Sequence, residues 1–317
     1  MNKIYLIVLL VVLISLTGIA YKNVFTTTTT TTTTSLYSGK IVIGNALWPG
    51  YLGLYIAADK GFFKERGLDV EVRNYPGLAD VSKDYLAGNM QGRANLTLDA
   101  ISEAYQGLNH KVIAASDYSA GSDGIIASKN IKTIKEIRGK RVAFEHGSLE
   151  EFFLRYALDK NGLSVSDIIP VDLDPEGSAQ ALVDGRADVA VTYEPFMGKA
   201  LVLSGGKKIY SSADAPGLIT DILTFRSDFI EKYPETIQAI IEEYFRGIRF
   251  WKENPAEAHS IIANRLGTVS DEVPGQLEGL IVLDKEENRT AFTFSVGPQS
   301  LYGNMRSVGQ FVEENQQ

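Results

Sequence analysis

From Gly39 onward, short apolar runs with β-branched residues alternate with segments whose apolar residues recur at helical spacing. Strand-then-helix alternation of this kind commits a chain to an α/β fold with parallel sheets. Strands are predicted at Lys40–Gly44, Asp69–Arg73, Ala94–Leu96, Lys111–Ser116 and Gly124–Ser128, with helices between them at Leu52–Arg66, Leu78–Ala87 and Asp99–Gly107. A second series follows Lys132-Thr133: strands at Arg141–Phe144, Ile168–Leu173 and Ala187–Thr192, and helices at Ser148–Lys160, Glu176–Val183 and Phe196–Leu203. In the first of these helices Leu149, Phe152, Phe153, Tyr156 and Ala157 share one face, the spacing of a packed helix. The chain then returns through an apolar strand, Ile219–Phe225, and ends in helices at Pro234–Lys252, Pro255–Arg265 and Pro298–Glu313.

One lobe interrupted by another is the reading that accommodates this order. Lobe one spans residues 39–126 and 218–317, lobe two spans 127–217, and the crossings fall near 125–132 and 213–220. A letter echo supports two lobes of like build: Gly92-Arg93-Ala94-Asn95 before a strand recurs as Gly185-Arg186-Ala187-Asp188 before another. At 317 residues the chain suits two lobes of ordinary size.

The amino terminus bears on the compartment. The apolar run Ile4 to Ala20 lies in length between a signal peptide's core and a membrane-spanning helix, so residues 1–25 read as either a cleaved signal or an anchor. The threonine tract Thr26 to Thr34 cannot bury a core, and residues 26–38 read as a stalk. Either way the folded part is expected outside the cytoplasm, attached to the membrane in the anchored case. Two glycosylation sequons exist, at Asn95 and Asn288, the first inside a predicted buried strand.

Composition closes several routes. The formal charge of −8 with no basic run argues against a nucleic-acid partner. With no cysteine there are no thiolate metal sites and no Cys nucleophile, and the three histidines, His110, His146 and His259, are far apart in sequence. Neither a metal nor a cofactor is expected, and no P-loop, HExxH or GxSxG motif occurs.

Three stretches carry a resemblance: Leu54 to Val70 (LYIAADKGFFKERGLDV), Arg138 to Ala143 (RGKRVA) and Ala181 to Pro195 (ALVDGRADVAVTYEP). In order and spacing they resemble the binding proteins for nitrate, sulfonate, taurine and thiamine-pyrimidine precursors (SsuA/THI5-like, NMT1-like). The resemblance implies a type II periplasmic binding fold, hinge closure over a small solute, a monomer, and permease and ATPase subunits of an ABC importer as partners. Two rival readings stand beside it, the first brought within range by the same resemblance. One is a pyrimidine-forming enzyme of the same fold, which depends on a cysteine-rich iron-binding stretch that this chain lacks; the other is an anchored ligand-sensing receptor module.

Loops at the carboxyl ends of strands should face the cleft of such a fold. Trp48 and Tyr51 follow the first strand, where an aromatic can cover a ligand. Asp99 ends the third strand, as ligand contact or helix cap. Asp117, Tyr118 and Asp123 stand in a predicted polar loop beside the first crossing. In lobe two, His146 and Ser148 precede a helix, and Ser148 with Glu151 spells a capping box. Tyr193 and Glu194 end an inner strand, Glu194 being the foremost candidate for recognition, and Asp221 lies on the returning strand. Carboxylates dominate this set and these loops hold no Lys or Arg, so a ligand supplying positive charge or N–H donors is expected.

Overall fold

The computed structural model describes residues 36–75 and 77–315, so the expected signal or anchor and nearly all of the threonine stalk lie outside the described residues. The described residues form one compact unit built on two sheets. The first sheet has the order β11-β4-β10-β3-β1-β2 and the second β7-β6-β8-β5-β9. In the first, β1 (Lys40–Ala46) runs parallel to β2 (Asp69–Tyr75) and β3 (Gly92–Leu96). Next to β3 lies β10 (Thr220–Arg226), antiparallel, followed by β4 (His110–Ser119) and the short β11 (Leu280–Val282). In the second sheet β6 (Arg141–Phe144) is parallel to β7 (Ile169–Asp172) and β8 (Val189–Tyr193). There β5 (Asp123–Ala127) takes the antiparallel place beside β8, with β9 (Lys207–Ser211) outside it.

Two passages of chain join the sheets, β4 to β5 and β9 to β10. The first is shorter and earlier than the sequence reading expects. Ile125, Ile126 and Ala127 are wholly buried in the second sheet, so the change of sheet occurs within 119–123 and not at 125–132. The expected polar loop 117–123 is likewise mostly strand: Asp117 to Ser119 finish β4 and Asp123 opens β5, leaving Ala120-Gly121-Ser122 as the turn. The two passages are bonded side by side. Ser119 N donates to Ile219 O at 3.1 Å, and Ser212 Oγ lies 2.7 Å from Ser119 Oγ while accepting from Gly121 N at 2.7 Å.

Each sheet has its own apolar packing. Ile41, Ile43, Ala94, Leu223 and Phe225 meet the helices Leu52–Asp59, Pro234–Glu253 and Pro255–Leu266. Ile125, Val142, Phe144, Val189 and Val191 meet the helix Leu149–Lys160 through Phe152, Phe153 and Ala157. The expected single helix 52–66 is two, because Gly61 adopts φ +74 between Leu52–Asp59 and Phe62–Glu65. The last helix, Leu301–Asn315, packs on the helix Thr97–Tyr105 and also sends Val308, Phe311 and Val312 into the second sheet's core. The letter echo is not a structural one. Gly92 lies inside β3 beneath Phe225, whereas Gly185 turns the chain at φ +71 ahead of β8. Both sequons are closed: Asn95 is buried in β3, and buried Asn288 exchanges hydrogen bonds with the backbone of Ala115.

Candidate functional site

The strand ends facing the change of sheet gather the candidates. In β10 and β4, Asp221 stands directly opposite Asp117 in the ladder, so their side chains share one face. Both are buried, at 4% and 0% exposure. Tyr51 Oη donates to Asp221 Oδ1 at 2.5 Å. Trp48 Nε1 donates to Asp117 Oδ1 at 3.2 Å, and Ser116 Oγ to Asp117 Oδ2 at 3.1 Å. The tight Pro49–Tyr51 turn after β1 brings those donors in. Gly50 is required there: a Cβ on it would sit 2.1 Å from Asp117 Oδ2 and 2.8 Å from Trp48 Nε1.

Burial pushes both carboxyls up, and Asp117 raises Asp221 further, since two adjacent carboxylates out of water cannot both ionise cheaply. Asp221 is raised further by Asp123 and Asp99. Asp123, at the first position of β5, is pushed up to about 7 by burial, against a bond from Ser119 and the attraction of Lys208. Glu150 and Asp117 add to that upward push. The Lys208 ammonium is itself bonded to Gly121 O at 3.0 Å. Among the described residues no ion pair involves Asp117, Asp123 or Asp221, and no group of three or more His, Asp or Glu is disposed to hold a metal ion.

A participant that the sequence does not flag is Tyr244, on the helix Pro234–Glu253. Its hydroxyl is wholly buried, has no hydrogen-bond partner, and is pushed up by burial and then by Asp117 and Asp221. Close helix contact puts it there: a Cβ on Gly247 would lie 2.4 Å from Gly53 O, and one on Gly53 2.6 Å from Tyr244 Cε2. No local pattern separates this Tyr from the apolar face of its helix.

The remaining candidates divide. Asp99 accepts from Leu96 N at 3.3 Å, the cap alternative; burial holds its carboxyl at about 6. Tyr118 points to the opposite face of β4 from Asp117, as strand alternation demands, and gives its hydroxyl to Gln299 O at 2.6 Å. It is therefore not in the cluster. Ser148 caps its helix by accepting from Glu150 N and Glu151 N, and Glu151 accepts from Gly147 N, so the helix end is already occupied. His146 is exposed, with Nδ1 2.7 Å from Glu151 Oε2. Glu194 is exposed and accepts from Gly198 N at 3.0 Å, again a cap. Its neighbour Tyr193 faces Asp123 across β8 and β5, and is pushed up to about 12 by burial and then by Glu150 and Asp123. Glu150, buried in the first helical turn, is itself raised by burial. A separate cavity of about 360 Å³ lies against Pro216 and the 290–300 segment, and its lining carries no charged side chain.

This arrangement can neutralise and orient a cation. Comparison with known proteins bears on family and fold. The taurine-binding periplasmic protein of Escherichia coli K12 is 24% identical over 269 residues, 81% of each chain. The periplasmic aliphatic sulphonate binding protein SsuA of Escherichia coli superposes with a TM-score of 0.70 at 18% identity, over 87% of each chain. The nitrate-binding protein NrtA of Synechocystis PCC 6803 has a TM-score of 0.55 at 17% identity, covering 78% of this chain and 74% of its own. Such likenesses establish the periplasmic-binding-protein fold. Residues 48–258 match the family described as NMT1/THI5 like, and the chain belongs to that family.

Proposed function

We propose that this chain captures a small solute bearing positive charge or several N–H donors, outside the cytoplasm, for the permease and ATPase subunits of an ABC importer. The observation that carries the reading is the Asp117–Asp221 pair, buried, adjacent and without a cation. Unpaired carboxylates out of water are costly, and an ammonium or amidinium offers charge-assisted hydrogen bonds in return. Closure would occur about the twin passages 119–123 and 212–220, tied together through Ser212. The sulfonate and taurine relatives point to a ligand carrying an anionic group. Against that for this chain stands the 146–151 helix end, whose N–H groups are taken by Ser148 and Glu151.

The test is a thermal-shift screen of the chain against alkylamines, aminopyrimidines, sulfonates and oxyanions. Amines or aminopyrimidines should raise the melting temperature and sulfonates should not. Stabilisation by sulfonates or oxyanions alone overturns the reading. A bound amine should also be recovered chemically unchanged after hours with the protein, as expected of capture without turnover.

A further inference from the structure

Each passage between the sheets delivers an aspartate to the opening of the strand it enters. Asp123 is the first residue of β5 and Asp221 the second of β10, and these strands hold the same antiparallel place in their sheets. The first sheet surrounds its aspartate with Asp117, Tyr51 and the unpartnered, wholly buried hydroxyl of Tyr244. In the second sheet Asp123 faces Tyr193 across the ladder and lies in the field of buried Glu150. Two acidic groups, one on each sheet, thus flank one junction, near enough that Asp117 raises Asp123 and Asp123 raises Asp221. The cation that acts on them, Lys208 toward Asp123, donates its hydrogen bond to Gly121 O.

We infer that the solute is a small organic dication, with one positive group held at Asp117, Asp221 and Tyr244 and the other at Asp123, Glu150 and Tyr193. This rests on the capture of a cationic solute proposed above and narrows its class. A single ammonium would neutralise one pole and leave the other buried without a counter-charge, which is the costlier arrangement. Tyr244 supplies an independent sign of a ligand: a phenol closed off from water and left without a partner beside two carboxylates needs a donor or acceptor that the chain does not provide.

The experiment is calorimetric titration of the full chain at pH 8 with n-butylamine, with the α,ω-diamines from 1,3-diaminopropane to 1,6-diaminohexane, and with taurine. The best diamine should bind about 10- to 100-fold tighter than n-butylamine, the scale of one further charge-assisted hydrogen bond. Asp123→Asn and Glu150→Gln should each bring the diamine toward the n-butylamine value, weakening the diamine at least about fivefold more than n-butylamine, whose continued binding also shows that the variants fold. The wild-type ratio stands without either variant. Equal affinity for n-butylamine and every diamine, or equal weakening of both by Asp123→Asn, overturns the dication and leaves capture of a cation intact. Binding of taurine with no amine, or of no amine at all, overturns both.

Discussion

Strand for strand the two sheets are alike: β2-β1-β3-β10-β4 in one matches β7-β6-β8-β5-β9 in the other, with the antiparallel strand in the same place. Their carboxyl edges differ. In the first sheet Tyr51, Asp117 and Asp221 are buried and bonded to one another's neighbours before any ligand arrives. In the second, Ser148, Glu151 and Glu194 are committed to capping helices, and His146 and Glu194 are exposed. Equal topology thus carries unequal edges: one is buried and bonded in place, and on the reading proposed above it would be the cradle while the other would meet the solute through Asp123, Glu150 and Tyr193 at its margin.

The largest effect should come from a buried charge that is not part of the cradle. Arg93 has no exposure and is paired with Glu103 under the helix Leu78–Leu86, its guanidinium stacked 4.5 Å from the Tyr85 ring. Glu103→Gln strands that cation, at a cost of about 3–5 kcal/mol in urea unfolding. Amine affinity should hold. A stable Glu103→Gln protein would erase the distinction between a charge paired for the fold and charges left unpaired for a ligand.

Next comes Asp221→Asn, which should weaken amine binding by about 1.5–3 kcal/mol by calorimetry. Without ligand the same variant should melt at the same or a higher temperature, because a neutral amide relieves the crowding with Asp117. A large loss of ligand-free stability would mean that the pair serves the fold, as Arg93 and Glu103 do.

The third effect is pH dependence. Asp117, Asp221 and Asp123 have carboxyls raised in the folded state, all by burial, Asp221 also by Asp117, Asp123 and Asp99, and Asp123 also by Glu150 and Asp117, with Tyr51, Tyr244, Ser116, Trp48, Ser119 and Lys208 acting on the cluster. A raised carboxyl keeps its proton longer folded than unfolded. Its contribution to stability is therefore complete below the unfolded value near 4 and is lost as pH rises through the folded one, about 7 for Asp123. Ligand-free stability should fall between about pH 4 and 7 by as much as about 1.4 kcal/mol per pH unit for each such group. Amine affinity should rise over the same window. Asp123→Asn should flatten both curves in part, and a ligand-free melting temperature that climbs with pH through this window would contradict the assignment.

Much of this was legible in the residues, for stateable reasons. Strand and helix periodicity locates every strand of both parallel cores: β1, β6 and β8 are buried at most positions, and β2 and β7, exposed at the sheet edges, still carry the β-branched Val70, Val72, Ile169 and Val171. β9 escaped, since Lys207-Lys208 opens it and an edge strand need not be apolar. The first change of sheet is displaced because Asp117 to Asp123 has the composition of a turn, yet Asp117 to Ser119 belong to β4 and Asp123 to β5, leaving only Ala120-Gly121-Ser122 to turn. The acidic character of the cradle was visible as carboxylates without Lys or Arg. Which carboxylates matter was not, because Asp117 meets Asp221 only through a ladder between segments about a hundred residues apart, and Tyr244 only through the Gly53–Gly247 helix crossing.

The smallest effect is expected where sequence alone pointed most firmly. Glu194 closes an inner strand of the second sheet and has the right charge, but its carboxylate is exposed and already accepts from Gly198 N at 3.0 Å. Glu194→Gln keeps an acceptor oxygen for that bond, so stability should change by less than about 0.5 kcal/mol, and amine affinity should move little because an exposed charge is screened by water and salt. Glu194→Ala removes the cap and should cost about 1 kcal/mol of stability, still without a matching loss of affinity. The comparison of the two edges turns on this pair of variants. If Glu194→Gln instead weakens amine binding as much as Asp221→Asn does, the second edge must rearrange on closure to bring Glu194 onto the solute, and the division into cradle and margin fails.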